Sequence, residues 1–329
     1  MSLIGSLTSG VSALDSFEEG LEVIGNNIAN VNTTGYKDQS VDYADSFSNI
    51  LQEATPASST TGGNTGTMQL GTGVKLASVL GNFSQGTLST TGTNTDLGVS
   101  GSGFFVVKDP TNNQEFVTRD GSFQLDSQGY LVTSQGYRLQ GLSNGSAAYT
   151  ATVDANGALV YTQTPTAPTT LGDVKIDFNI SVGNGLTNST AGAFTDAQVT
   201  AGAPAMENFT VDQSGNIVET LSNGDTFDRG QVLLQNFSDP NALTRDGNNL
   251  YGNTDAAGPE GGAGLSAANN TPGSYGLGSI EVGTLEGSNV DLSQEFANLI
   301  TTQRSFQAAS RVITTSDSIL DEIIHLKQS

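Results

Sequence analysis

The sequence contains no cysteine and no tryptophan, and its single histidine is His325. Without cysteine there is no disulfide scaffold, no thiolate zinc site and no cysteine nucleophile. One histidine cannot build a His-rich metal site, and it offers one imidazole base to the whole chain. His325 falls in the last turn of a C-terminal helical pattern, where an imidazole ordinarily meets solvent and helix carbonyls. Positive charge is also scarce: 11 Lys and Arg stand against 33 Asp and Glu, for a net charge of −22. Such a surface repels polyanions, so neither nucleic acid nor an anionic membrane surface is an expected partner. The acids are scattered, which suits a solvated exterior. No stretch approaches the roughly 20 apolar residues of a membrane span, and membrane insertion is not expected. The opening MSLIGSLTSGVSALDSFEEG has no basic leader and no unbroken apolar core, so export by a cleaved Sec signal is not expected either.

What is present divides into two kinds of sequence. The 329 residues are 35% hydrophobic and include 41 glycines, with Ser, Thr and Asn abundant in the middle. That length holds two or three modest domains, and that mix suits short strands and many turns.

Both ends carry helical seams. Leu7, Leu14, Leu21 and Ile28 form one apolar row, and Leu3, Phe17, Ile24 and Val31 form the row beside it, with Gly10 filling a gap. At the other end Leu292, Leu299, Phe306, Ile313 and Leu320 recur every seven residues, flanked by Phe296, Ala309, Ile323 and Ile324. Narrow apolar edges with this repeat pack lengthwise against other helices. Asp291 followed by Gln294 resembles a capping box and marks the start of the second helix. Gly10, Gly20 and Gly25 weaken the first helix in isolation, each by about 1 kcal/mol relative to Ala, so it is expected to be ordered by its partners. Those partners are either the other terminal helix of the same chain or helices of other copies.

The middle reads as β structure. Asp126–Val132, Asp154–Val160 and Asp212–Val218 share an Asp-led, Gly-closed turn running into alternating apolar residues, and Asn223-Gly224 marks a further tight turn. Gly98, Gly101 and Gly103 lead into a strand, FFVV, whereas a phosphate-cradling loop leads into a helix; they read as a tight turn. No carboxylate pair stands out for glycoside hydrolysis, and the Asp-x-x-Gly turns lack the further acids of a calcium loop. The expected sites are therefore catalytic none, cofactor none and metal none.

The expected fold class is α+β, with the amphipathic N- and C-terminal helices forming a coiled-coil-like pair that encloses mainly antiparallel β domains. The expected division is a terminal helical segment over 1–35, an extended connection over 36–75, an inner β domain over 76–141 and 206–284, an inserted outer β domain over 142–205, and a C-terminal helical segment over 285–329.

Two long stretches carry a family resemblance. VIGNNIANVNTTGYK, Val23 to Lys37, and LEGSNVDLSQEFANLITTQRSFQAASRVITTSD resemble the terminal signatures of the bacterial flagellar rod and hook axial protein family. The block from Phe209 to Tyr251, the LGVSGSGFFVV segment and the inserted middle are similar to the hook branch; nothing is recognised over about 142–205. The resemblance implies a subunit that polymerises with itself into a curved hollow tube, the joint between motor and filament. The implied location is extracellular, in the flagellar hook, reached through the flagellar type III export apparatus. Implied partners besides self are rod, hook cap and hook–filament junction proteins. The family motif places Asn26, Asn27, Asn30, Gly35, Tyr36 and Lys37, whose roles are either contacts between subunits or plain helix-end and turn chemistry. The apolar seam residues become the expected assembly surface. A rod subunit shares both terminal signatures, and an extracellular β-rich hydrolase or adhesin would account for the acidic, Thr-rich middle alone.

Overall fold

The computed structural model describes residues 2–54, 66–143, 148–153, 159–163, 169–176, 181–184, 206–222, 224, 226–262 and 264–328. The chain divides into two compact units, each considered by itself. Unit 1 takes Met1–Asn32, Lys37–Phe83 and Val290–Ser329; unit 2 takes Thr33–Tyr36 and Ser84–Asn289.

Unit 1 is built on α1 (Ser2–Ala29) and α2 (Leu292–Gln328). Helix α1 ends where Asn30 folds back: its backbone N–H and its side-chain amide both donate to the Asn26 carbonyl, at 3.1 and 2.9 Å. An Asn can satisfy a terminal carbonyl in this way without extending the helix. Helix α2 begins at the Asp291 cap, whose Oδ1 accepts from the backbone N–H of Ser293 (2.9 Å) and Gln294 (3.2 Å). The Gln294 amide donates forward to Asn298 Oδ1 at 3.1 Å, so the expected cap forms as an Asp N-cap.

Residues 36–75, expected as an extended connection, instead hold most of a four-strand element. Strands β1 (Gln39–Asp45) and β4 (Val74–Gly81) pair antiparallel from Gln39↔Gly81 to Asp45↔Val74, with a bulge at Asp42/Tyr43. Between them β2 (Ser48–Gln52) and β3 (Met68–Gly71) form a second antiparallel pair, exposed along its whole length. A hairpin exposed on both faces carries no inside–outside alternation, and its strands are separated by more than a tight turn, so neither strand signal is present in the sequence.

The described residues of unit 2 form strands and one short 3-10 helix, Pro240–Ala242. In chain order come β5 (Leu88–Thr90), β6 (Leu97–Ser100), β7 (Phe104–Lys108), β8 (Glu115–Thr118), β9 (Gln124–Leu125), β10 (Leu131–Val132) and β11 (Arg138–Ser143). After these come β12 (Ala148–Val153), β13 (Leu159–Gln163), β14 (Thr170–Asp173), β15 (Ser181–Asn184), β16 (Met206–Val211), β17 (Asn216–Leu221) and β18 (Thr226–Val232). The last are β19 (Leu234–Gln235), β20 (Thr244–Gly247), β21 (Leu250–Gly252), β22 (Ser279–Val282) and β23 (Thr284–Glu286). The main sheet runs β16-β17-β18-β11-β7-β8-β21-β20, and β22–β6 and β23–β5 are separate antiparallel pairs. Within the expected inserted domain, β12, β13 and β15 make a three-stranded sheet of their own, whereas β14 pairs with β11 of the main sheet. Unit 1 runs on to Phe83, past the expected boundary at 75/76, and unit 2 runs on to Asn289, past the expected boundary at 284/285.

The core of unit 2 packs Leu97, Phe105, Phe123, Leu139, Ile217 and Leu234, among others, all at 0–1% exposure. Two expected turns form as read: Asp126 Oδ1 accepts from the N–H of Gln128 and Tyr130, and Asp212 Oδ1 accepts from Ser214 and Asn216. Each closes on a glycine of positive φ, Gly129 at 86° and Gly215 at 79°. The turn after Asp154, and Asn223 of the fourth turn, lie outside the described residues. Gly101 and Gly103 (φ 114° and 120°) join β6 to β7, strand to strand.

Candidate assembly surface

The terminal helices meet antiparallel within the chain. Ser6 Oγ lies 3.2 Å from Ser316 Oγ, a Cβ on Gly10 would stand 2.9 Å from Ile313 Cγ1, one on Gly20 3.9 Å from Thr302 Cγ2, and the Asn27 amide reaches Glu295 Oε2 at 3.3 Å. As the contact advances along α1 it retreats along α2. On α2 the seam alternates the expected apolar row (Leu299, Phe306, Ile313, Leu320, all half-buried) with Glu295, Thr302, Ala309 and Ser316. On α1 the row of Gly10, Phe17 and Ile24 alternates with Ser6, Ala13, Gly20 and Asn27. Small residues on both sides let the backbones approach closely. The Tyr43 hydroxyl of β1 occupies the place a Cβ on Gly20 would take, and its ring meets Phe17 edge-on, with centroids 6.0 Å apart. Burial raises the Tyr43 pKa, and the Glu19 charge adds to the shift.

The expected assembly residues are thus divided. Ile24 is buried and Ile313 packs on Gly10, both inside the chain's own pair. Leu7, Leu14, Phe17, Leu21 and Ile28 are half-buried on α1, as is Val31 in the turn just past its end. Leu292, Phe296 and Ile324 are exposed on α2, at 39%, 48% and 53%. The sequence reading did not single out Ile300, Val312, Ile319 and Leu326, which are exposed as well, nor the β2–β3 hairpin with exposed Phe47, Ile50, Leu51, Met68 and Leu70. Fully burying a side chain of this kind contributes roughly 1.5–3 kcal/mol, so a unit that exposes this many would gain from being covered.

The family-motif residues also divide. Asn27 is fully buried: its Nδ2 donates to the Gln39 carbonyl at 2.8 Å, and its Oδ1 accepts the Gln39 N–H at 3.0 Å. That reciprocal pair mimics a ladder bridge and fixes where β1 leaves α1. Asn26 and Asn30 close the helix end on its exposed side. Gly35, at φ 67°, has Asp120 N 2.6 Å from where a Cβ would stand, so only glycine fits. The Gly35 N–H donates to the Glu286 carbonyl at 2.7 Å, Asn249 Nδ2 donates to the Thr34 carbonyl at 2.7 Å, and the Arg245 guanidinium lies 4.9 Å from the Tyr36 ring centre. Lys37 is buried.

Ionisable groups inside unit 2 are structural in their geometry. Arg119 Nη1 pairs with Glu286 Oε2 at 3.1 Å, and Glu286 Oε1 accepts the Gly86 N–H at 2.8 Å. Burial lowers the Arg119 pKa, and Glu286 opposes that shift. Burial likewise raises the Tyr251 pKa. Both groups are closed in by the core. Among the described residues no three His, Asp or Glu side chains gather to hold a metal ion, and no helix is long and apolar enough to cross a membrane.

Three family models match the chain: "Flagella basal body rod protein" over residues 7–37, "Flagellar hook protein FlgE/F/G D1 domain" over 98–219, and "Flagellar basal body rod FlgEFG protein C-terminal" over 281–326. The chain is 32% identical over 326 residues to the flagellar basal-body rod protein FlgG of Bacillus subtilis, covering 99% of this chain and 100% of that protein. It is 29% identical to the flagellar hook protein FlgE of Borreliella burgdorferi in an alignment of 455 residues, covering 99% of this chain and all of the other. It is 27% identical to FlgE of Salmonella typhimurium in an alignment of 429 residues, covering 98% of this chain and all of the other.

Proposed function

The chain belongs to the flagellar rod and hook protein family, and from that premise we propose that it is a structural subunit of the flagellar hook, polymerising helically into a curved tube. The apolar side chains left uncovered on α2 and on the β2–β3 hairpin carry the polymer reading. In a monomer they are a cost, and in a head-to-tail array they become the contact. Unit 2, closed on its own core, serves as the rigid bead that the array displays. The role is mechanical, with no turnover, and the implied neighbours are other copies, rod, cap and junction proteins, and the type III export apparatus. The external location and uncleaved export are part of the same reading.

The hook branch is supported by the Phe209–Tyr251 block, which folds as the β16–β17–β18 meander and continues to β21. The rod branch has its own support: the FlgG alignment runs end to end over 326 residues, whereas the hook alignments are longer than this chain because those proteins carry segments it lacks. A single cysteine decides between them, since the sequence has none. Ser189→Cys, in the expected inserted domain and outside the described residues, is labelled in motile cells with a membrane-impermeant maleimide dye. One short spot at each flagellar base is the expected result. Label that appears only after permeabilisation assigns the chain to the rod.

A further inference from the structure

Most cationic side chains are tied up inside the chain. Lys37, Arg119 and Arg229 are buried, Arg138 pairs with Asp173 at 2.9 Å, and Lys175 and Arg245 lie over the rings of Tyr130 and Tyr36. Among the described residues, Lys75 is exposed on β4, and Arg304 and Arg311 are exposed on one helix, two turns apart. Arg304 falls midway between the seam residues Thr302 and Phe306, and Arg311 midway between Ala309 and Ile313, so both lie on the side of α2 opposite its contact with α1. Exposed Ile300 precedes Arg304 by one turn, and exposed Val312 adjoins Arg311.

Helix α1 has the opposite character on its own outer side. It contains no Lys or Arg, and Asp15, Glu18 and Glu22 are exposed along one face with Val11. Asp15 falls midway between Ala13 and Phe17, again opposite the seam, and Glu22 follows two turns later. These carboxylates sit three and four residues apart, so each repels the next. The two charged rows have the same span, about 10.5 Å for seven residues at 1.5 Å each. Because they lie on opposite outer sides of the antiparallel pair, they cannot meet within one chain.

We propose that the Ile300–Arg304–Arg311–Val312 face of α2 docks on the Val11–Asp15–Glu18–Glu22 face of α1 in a second copy of this chain. The proposal rests on the polymer reading and adds to it the identity and register of one contact. An acidic outer face on one helix and a basic one on the other make this contact heterologous, so it propagates instead of closing into a dimer. Charge complementarity fixes the register of two apolar surfaces that would otherwise slide.

The test is charge exchange in the full-length chain, read as the critical concentration for sedimentable polymer, with circular dichroism to verify folding. Arg304→Glu/Arg311→Glu, and separately Asp15→Lys/Glu22→Lys, should each raise the critical concentration about tenfold or more. The chain carrying all four substitutions should return to within about threefold of the wild type. If a half-exchanged chain misfolds, the unsubstituted protein still reports: critical concentration should rise with salt between roughly 0.05 and 0.5 M, as screening shortens the reach of the pairing. Half-exchanged chains that polymerise like the wild type, or a fourfold variant no better than either half, would overturn this contact while leaving the polymer reading intact. A wild-type chain that stays monomeric at every concentration would overturn both.

Discussion

The two units treat apolar side chains in opposite ways. Among the described residues, unit 2 leaves Leu171 and Tyr275 as its exposed large hydrophobics, while every other one, from Val11 to Leu326, belongs to unit 1. Conversely, the buried apolar core is almost wholly in unit 2, and Ile24 and Ala309 are the buried apolar residues of unit 1. Unit 2 is therefore a finished fold. Unit 1 pairs its helices but presents its surplus outward, so under the polymer reading neighbours would add to its stability.

Four substitutions test this contrast, from the largest expected effect to the smallest. Phe105→Ala empties the centre of unit 2, where Phe105 is fully buried against Phe123, and should cost about 3–5 kcal/mol in denaturant unfolding. Ile24→Asp places an unpaired charge in the helix seam; it should melt the α1–α2 pair and abolish polymer, while near-ultraviolet signals from unit 2 persist. A loss of the β signal would mean that the units do not fold separately. Asn27→Ala removes both bonds to Gln39 and a partner of buried Glu295, for a loss of about 1–3 kcal/mol read from amide exchange in α1 and β1. Phe296→Asp, on the outer face of α2, should change monomer stability by less than about 0.5 kcal/mol yet abolish sedimentable polymer. If polymer persists, that face is not an assembly surface.

The terminal helices, the Asp291 cap and the turns led by Asp126 and Asp212 were legible in the sequence because each depends on neighbours a few residues away. The seven-residue row from Leu299 to Leu320 also predicted where α2 touches α1, although its first member, Leu292, is exposed. It could not show that the other half of that seam is Glu295, Thr302, Ala309 and Ser316, since small and polar residues give no hydropathy signal even where they allow the closest approach. Strands β2 and β3 were missed for a related reason: with both faces exposed, Phe47, Ile50 and Leu70 follow no alternation. The assignment of Asn27 to the start of β1 needed the fold itself, because its partner, Gln39, is chosen by chain direction and not by residue type.

The antiparallel pair joins residues very far apart in the chain: Asn27 and Glu295 are separated by 268 positions, Ser6 and Ser316 by 310. Closing so long a loop costs about 5 kcal/mol in chain entropy, more than a glycine-weakened helix could offset by itself. Unit 2 removes most of that cost in advance. Asn289, where the chain leaves for α2, donates its N–H to the carbonyl of Tyr36, just past the exit towards α1, at 3.4 Å, so the β fold shortens the loop before either helix finds its partner. Folding then has an order in time. Ser6 and Asn27 cannot pair until Ser316 and Glu295 have been made, so the α1 segment is without its helix partner until then.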